Sequence, residues 1–465
     1  MALPTNGERP RNVVVILTDD QRWDGFGFMG HPVLQTPALD GLARSGAWCS
    51  ESFVTTSLCC PSRASMLTGL YAHAHGVLNN QSELEQTVPT YGQYLAHAGV
   101  DTAYIGKWHM GGGNPHPRPG WSRWIGFRGQ GRYHYPGPET LHPLDRGFSW
   151  DGTMKPTEGY VTDLLTDHAV DYVQSHGSGA PFCLVVAHKA CHAPFQPAPR
   201  HADALATATP PAVLPDTDEA YASLPPWLRR MRHNTIFGVD QPYGGRWPDF
   251  TSWYRDYHRT LLAVDESVAR ILAALDAAGI AEQTAVLYTS DNGFMFGEKG
   301  VLDKRVAYEP SIRVPLLARV PGLVAPGSRI DKPVLNVDVA PTVLDLMGLT
   351  PPPHMHGRSL RPVLADTDAP WRKEFLYTYF HERRFPSTPT VIALRTPRFK
   401  YITHHGLDAP PALYDLKSDP EERVDLCTDP THAERARSLA ARLDRHATRL
   451  GLHSDPVWGE APSPL

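Results

Sequence analysis

The 465-residue chain holds only six cysteines, Cys49, Cys59, Cys60, Cys183, Cys191 and Cys427. They are too few and too irregularly spaced for a disulfide framework or a zinc-ligand pattern. Long apolar runs are missing too. Met1 to Arg11 contains no apolar core of a signal sequence, and no later stretch approaches the length of a membrane span. Taken at face value this predicts a cytoplasmic protein with no membrane partner; a trimmed export signal would leave the same sequence. Neither sign of charge dominates. Lys and Arg number 44 against 49 Asp and Glu, a formal charge of −5, which argues against a nucleic-acid or anionic-membrane binder. No internal repeat is visible.

Proline, by contrast, is plentiful: 45 residues, about twice average usage. Because hydrophobic residues still make up 41% and charged ones 20%, this composition indicates ordered loops over a large core and not disorder. The length exceeds what a single core usually covers, so a large domain, 1–372, and a small one, 373–465, are expected. Asn12 to Leu17, Thr102 to Ile105, Phe182 to Ala187 and Thr284 to Thr289 read as buried parallel strands, and Val314 to Arg319 as a further apolar strand. Helical periodicity marks Thr36 to Ala47, Tyr91 to His97, Gly159 to His176, Tyr254 to Gly279 and Asn336 to Gly348. After Pro370 come short β-like runs, Phe375 to Tyr379, Val391 to Arg395, Phe399 to Ile402 and Ala412 to Leu416, then a helix over Ala433 to Leu450. The expected fold is α/β, a large, mostly parallel central sheet flanked by helices with a smaller C-terminal α+β domain.

Two strands end in oxygen ligands: Asn12 to Leu17 runs into Asp19-Asp20, and Thr284 to Thr289 into Asp291-Asn292-Gly293. Carboxyl ends of strands are where open α/β sheets place their ligands, and adjacent carboxylates call for a cation. Ser57 to Gly69 sets a cysteine, a proline, a serine and an arginine at the mouth of a short helical run closed by glycine, where backbone N–H groups attract anions. Alone, Cys59 reads equally as a buried apolar thiol.

The spacing Cys59-x-Pro61-Ser62-Arg63, followed by Met66-Leu67-Thr68-Gly69, resembles the first signature of the type I sulfatases. There the cysteine becomes formylglycine through a formylglycine-generating enzyme. Gly99 to His109 resembles the second signature of the same family, and the Leu413-Tyr414-Asp415-Leu416 region its tails. The resemblance implies an alkaline-phosphatase-like fold and a metal held by Asp19, Asp20, Cys59 (as formylglycine), Asp291 and Asn292. All-oxygen ligands with three carboxylates favour Ca²⁺, with Mg²⁺ or Mn²⁺ as alternatives. It also implies roles for Arg63 in holding the hydrated nucleophile, Lys107 in binding a sulfate oxygen, His192 and Lys304 in protonating the leaving oxygen, and His109 in releasing sulfate. Lys107 and His109, two apart, would share a face of an extended segment. Lys299 is the competitor of Lys304. His188 reads as structural, and His31, His73 and His75 are left without a role.

The wording around Cys59 and Asp303-Lys304-Arg305 resembles N-acetylglucosamine-6-sulfatases and bacterial carbohydrate sulfatases, which implies a saccharide or small-molecule sulfate ester as partner. Arylsulfatase and phosphonate monoester or phosphodiester hydrolase chemistry stay open, as do a non-catalytic sulfated-glycan binder and a thiol protein built on Cys59-Cys60. Trp121, Trp124 and Tyr133 are candidates for a pocket wall, or else pins for an irregular loop. The Pro-rich stretch 198–249, with Arg229, Arg230 and Arg232, is a candidate rim for an anion.

Overall fold

The computed structural model describes residues 10–452 apart from 112, 137–141, 177–178, 213–220, 223, 234–237, 239–241, 243 and 407–408. The first ten residues and the stretch 198–249 therefore fall partly outside the described residues.

Ten strands form the central sheet: β1 (Asn12–Thr18), β2 (Ala47–Cys49), β3 (Asp101–Gly106), β4 (Arg123–Gly126), β5 (Gly147–Trp150), β6 (Thr153–Pro156), β7 (Phe182–Ala187), β8 (Thr284–Ser290), β9 (Leu316–Arg319) and β10 (Ser328–Ile330). Their order is β10-β2-β9-β8-β1-β7-β3-β4-β5-β6. The middle, β8-β1-β7-β3-β4, is parallel throughout. On the flanks β9 runs antiparallel to β8 and β2, and β5 antiparallel to β4 and β6. The sheet is thus mixed, and its parallel part is the part that carries chemistry.

The near-continuous apolar run of β1 has a direct consequence for layering. Successive side chains point to opposite faces, so Val13, Val15 and Leu17 enter one core and Val14 and Ile16 another. The first core is closed by α2 (Cys59–Thr68), α3 (Tyr91–His97) and α6 (Val339–Leu346). The second is closed by α1 (Pro37–Ser45), α4 (Val161–His176) and α5 (Phe250–Ala277). A strand buried on both faces between helices is what parallel sheets require. The 28-residue α5 starts at Asp249, whose carboxylate accepts from the Ser252 N–H at 2.7 Å, a cap worth about 1 kcal/mol.

Beyond the sheet, β11 (Phe375–Tyr379), β12 (Thr390–Arg395), β13 (Phe399–His405) and β14 (Ala412–Asp415) form an antiparallel meander covered by α7 (Ala433–Arg449). Its apolar side chains share one core with Phe53, Leu58 and Ile312 of the larger unit, so the small sheet is welded to the segment that precedes Cys59. Trp121 and Trp124 are core residues, packed on Tyr104 edge-on at 5.3 Å and stacked at 5.2 Å respectively. The pinning role is therefore theirs, while Tyr133 does line a cavity. Among the described residues no helix is long and apolar enough to cross a membrane, and the six cysteines are all free.

Candidate active site

Four neighbouring parallel strands deliver the site from their carboxyl ends. Strand β8 carries Asp291 and Asn292, β1 Asp19 and Asp20, β7 His192, and β3 Lys107 and His109. The register Thr18↔Ser290 sets Asp19 beside Asp291 although 272 residues separate them. Gly106 makes the exit from β3 feasible. It has φ 119°, and a Cβ there would lie 2.0 Å from the Ala187 carbonyl oxygen, so any other residue is excluded. Gly293 plays the same part after Asn292, where a Cβ would meet the Pro310 oxygen at 2.2 Å.

Cys59 opens α2, whose C-terminus is closed by Gly69 at φ 71°. Its Sγ lies 3.7 Å from Asp19 Oδ1 and 3.1 Å from Lys304 Nζ. One turn further, the fully buried Arg63 donates from Nε to Asp291 Oδ2 at 2.8 Å, from Nη2 to Asp19 Oδ2 at 3.3 Å and from Nη1 to the Lys107 carbonyl at 2.7 Å. Lys107 donates to Asp19 and to Gln130, and Lys304 to Asp20. His192 Nε2 stands 3.9 Å from Asp20 Oδ2. His109 lines a cavity of 310 Å³ together with His192 and Lys304. All the residues expected at the site from sequence are therefore brought together.

One expectation about geometry is corrected. The segment after Gly106 is not extended: His109 has φ 70°, and it reaches the cavity through that turn and not by sharing a strand face with Lys107. The two candidate lysines are placed differently. Lys299 donates to the Glu422 carbonyl and lies against the rings of Tyr308 and Tyr414 at 5.1 and 5.5 Å, whereas Lys304 is in the site. His188 pairs with Ser267 at 3.2 Å, His75 with Ser65 at 3.1 Å, His73 with the Leu450 carbonyl at 2.8 Å, and His31 packs on His258. None of these four lines the catalytic cavity.

Carboxylate oxygens of Asp19, Asp20 and Asp291 lie within 4.8 Å of one another. Burial, opposed by Lys304 and reinforced by Asp19 and Asp291, raises the Asp20 carboxyl to about 7. Burial also pushes Asp19 up, but Lys107, His192 and Arg63 overcome it and hold that carboxyl well below the ordinary range. Burial and Asp19 raise Asp291. Two oxygens facing this cluster, Asp20 Oδ2 and Asn292 Oδ1, have no hydrogen-bond partner among the described residues. Buried, orphaned and partly repelling oxygens are a fit for a hard divalent cation. Burial pushes the Cys59 thiol up to about 12 despite Lys107 and Lys304. As a thiol the side chain would be neutral at pH 7 and a poor nucleophile.

Other residues of the site had no sequence signal or an unread one. Gln130 sits in a glycine-rich loop with nothing to single it out. Lys189 lies three residues before His192, is 2% exposed, and leaves Nζ without a hydrogen-bond partner among the described residues. From the small sheet's β11–β12 connection, Arg384 and Phe385 line the catalytic cavity, and the fully buried Glu382 accepts from Arg305 Nε at 2.8 Å, next to Lys304. No local pattern could announce a contact made by another domain.

Three carboxylates, three cations and a helix-borne cysteine at parallel strand ends form an apparatus for attacking an ester of an anionic group. With this sheet, it defines a hydrolase of the alkaline phosphatase superfamily. A sequence profile described as Sulfatase matches residues 11–349, and one described as N-sulphoglucosamine sulphohydrolase, C-terminal, matches residues 297–449. The chain belongs to the sulfatase family and is an enzyme of that family, whose members generally use a metal ion and formylglycine. The N-acetylglucosamine-6-O-sulfatase of Bacteroides thetaiotaomicron is 31% identical over 94% of this chain and 86% of its own. The N-acetylglucosamine-6-sulfatase of Homo sapiens is 32% identical, with 83% of this chain and 70% of its own covered. A solved structure in complex with its substrate D-glucosamine-2-N,6-O-disulfate matches with TM-score 0.84 at 29% identity, covering 97% of this chain and 100% of that one. The phosphonate monoester hydrolase of Agrobacterium radiobacter, TM-score 0.76 at 23% identity over 95% and 96%, shares the fold.

Proposed function

We propose that this enzyme hydrolyses a sulfate monoester of an amino sugar, with the 6-sulfate of a glucosamine unit as the preferred target. The observation that carries the reading is the meeting of Cys59 with Arg63, Lys107, His109, His192 and Lys304 around three carboxylates at the strand ends. The amino-sugar assignment is supported by the relatives named above, which are themselves N-acetylglucosamine-6-sulfatases at 31% and 32% identity.

Asp19, Asp20, Asp291 and Asn292 would hold Ca²⁺, which supplies charge neutralisation and Lewis acidity when bound. Cys59, once oxidised to formylglycine, supplies an aldehyde hydrate in place of the neutral thiol. The residues of the chain do the rest. Lys107 and Lys304 present ammonium groups that hold sulfate oxygens and oppose the negative charge gathering on them. Arg63, bound by both Asp19 and Asp291, fixes the carboxylates relative to the first turn of α2. Lys304, 3.1 Å from Cys59 Sγ and, despite burial, kept protonated by Asp20 and the neighbouring anions, and His192, which burial lowers and a bound sulfate would raise again, donate a proton to the departing sugar oxygen. His109, across the same cavity, accepts the proton whose removal frees the product. Burial, with Lys107 and the other cations adding to it, keeps His109 well below its ordinary range, so the imidazole is neutral and able to accept.

The test is sulfate release from N-acetylglucosamine-6-sulfate, an aryl sulfate and a phosphodiester, using protein co-produced with a formylglycine-generating enzyme. The Cys59 peptide is checked by mass spectrometry in the same preparation. Release from the sugar with Cys59 converted supports the reading. Full conversion with turnover of only the aryl sulfate or the phosphodiester overturns it.

A further inference from the structure

A second cavity, next to the one at the strand ends, does not contain the catalytic groups. It measures 1180 Å³ against 310 Å³ for the catalytic cavity, and Gln130 lines both. The two also share a wall, since Tyr133 of the larger cavity donates from its hydroxyl to the His192 carbonyl at 2.9 Å. The larger cavity is basic. Arg128 is paired with Asp145 at 3.2 Å, whereas Arg132, Lys189 and Arg246 face the same space with no other carboxylate on its lining. Lys189 is the telling residue: it is buried, its Nζ has no hydrogen-bond partner among the described residues, and it lies 4.9 Å from the centroid of the Tyr133 ring. Burial and Lys107 lower this amine to about 7, so an anion entering the cavity would favour its charged form.

We infer that this cavity is a second anion site of the substrate cleft, taking another negatively charged group of the same saccharide whose sulfate ester is cleaved next to it. That group is a second sulfate on the same ring or a carboxylate on the adjoining sugar. The inference rests on the amino-sugar sulfatase reading above. A single sulfate monoester is served by Lys107 and Lys304, which leaves Arg132 and Arg246 without a task in its cleavage. Guanidinium forks match sulfate and carboxylate oxygens two at a time, and the open mouth makes the attraction dependent on ionic strength.

The experiment compares kcat/KM of formylglycine-bearing enzyme on three substrates. These are N-acetylglucosamine-6-sulfate, glucosamine-2-N,6-O-disulfate, and a disaccharide joining 6-sulfated N-acetylglucosamine to a uronic acid. At low salt a doubly charged substrate is expected to be preferred about tenfold, two partly exposed guanidinium contacts being of modest worth each. Replacing both arginines (Arg132→Gln with Arg246→Gln) should lower that ratio several-fold, through KM, and added salt should erode it in the wild type. Preference for the disulfate identifies sulfate as the second anion, and preference for the uronide identifies carboxylate. Lys189→Met, checked for folding by circular dichroism, should lower the ratio as well. Equal kcat/KM on all three substrates, or a ratio unmoved by the arginine substitutions, overturns the inference and leaves the sulfatase reading standing. Failure of converted enzyme to cleave any of the three overturns the amino-sugar reading and this inference with it.

Discussion

Replacing Asp291 by asparagine tests the metal assignment with little change of shape. The substitution removes one of three clustered carboxylates and weakens the 2.8 Å pair with Arg63 Nε, while Arg63 keeps Asp19 at 3.3 Å. In metal-free protein two effects oppose each other. A buried cation loses a partner, but the repulsion that raises Asp20 and Asp291 is relieved. The clear loss is therefore in metal binding. At a Ca²⁺ concentration of about 100 times the wild-type Kd, linkage stabilises the folded state by about 2.7 kcal/mol. If the lost charge weakens affinity about 100-fold, the same concentration stabilises the variant by only ~0.4 kcal/mol. Chelated protein titrated with Ca²⁺ and followed by thermal unfolding gives both curves, with metal content measured in parallel. Equal Ca²⁺-induced stabilisation of wild type and Asp291→Asn would refute the assignment.

The metal should also be linked to pH. With Asp20 raised to about 7 in metal-free protein, the folded state holds a proton that the unfolded state releases at a lower pH. That contribution is present below the ordinary carboxylate range and is lost as pH rises through about 7. Calcium must displace this proton, so Ca²⁺-induced stabilisation should weaken as pH falls below about 7; a pH-independent titration counts against the assigned ligand. Cys59→Ala should abolish sulfate release while leaving the circular dichroism spectrum unchanged, and substantial remaining turnover would rule out the assigned nucleophile. His192→Ala should slow a sugar sulfate far more than a nitrophenyl sulfate, whose leaving group needs no proton; equal losses on both would contradict proton donation. Gly106→Ala should lower soluble yield and thermal stability, because its Cβ would sit 2.0 Å from the Ala187 oxygen at φ 119°. An unaltered melting temperature would show that β3 leaves the sheet differently.

How far the site was legible depended on distance along the chain. Strand β1 and helix α2 were readable because their signals are local, a continuous apolar run and a helix start closed by a glycine. Expected limits such as Phe182–Ala187 and Tyr91–His97 coincide with the observed elements. The continuous apolar run of β1 announced burial on both faces, but not which helices would cover each. For Trp121 and Trp124 the sequence left pocket wall and loop pin both open, because a large aromatic beside a loop carries no sign of which way it faces. The antiparallel flanks of the sheet were equally silent, since pairing direction is written in connections and not in strand composition.

By itself the sequence determined the family and the candidate site residues, because a cysteine in its signature and paired carboxylates at strand ends are recognisable in a few consecutive residues. Only the tertiary structure decided their assembly. The order β8-β1-β7-β3 places Asp291, Asp19, His192 and Lys107 side by side. The left-handed turn at His109 aims it into the cavity, Lys304 is selected over Lys299, and Gln130, Lys189 and Arg384 are recruited from segments with no motif of their own. The physical reason is that a ligand's identity is a property of one residue. Its pKa, its partners and the space in front of it are properties of everything packed around it.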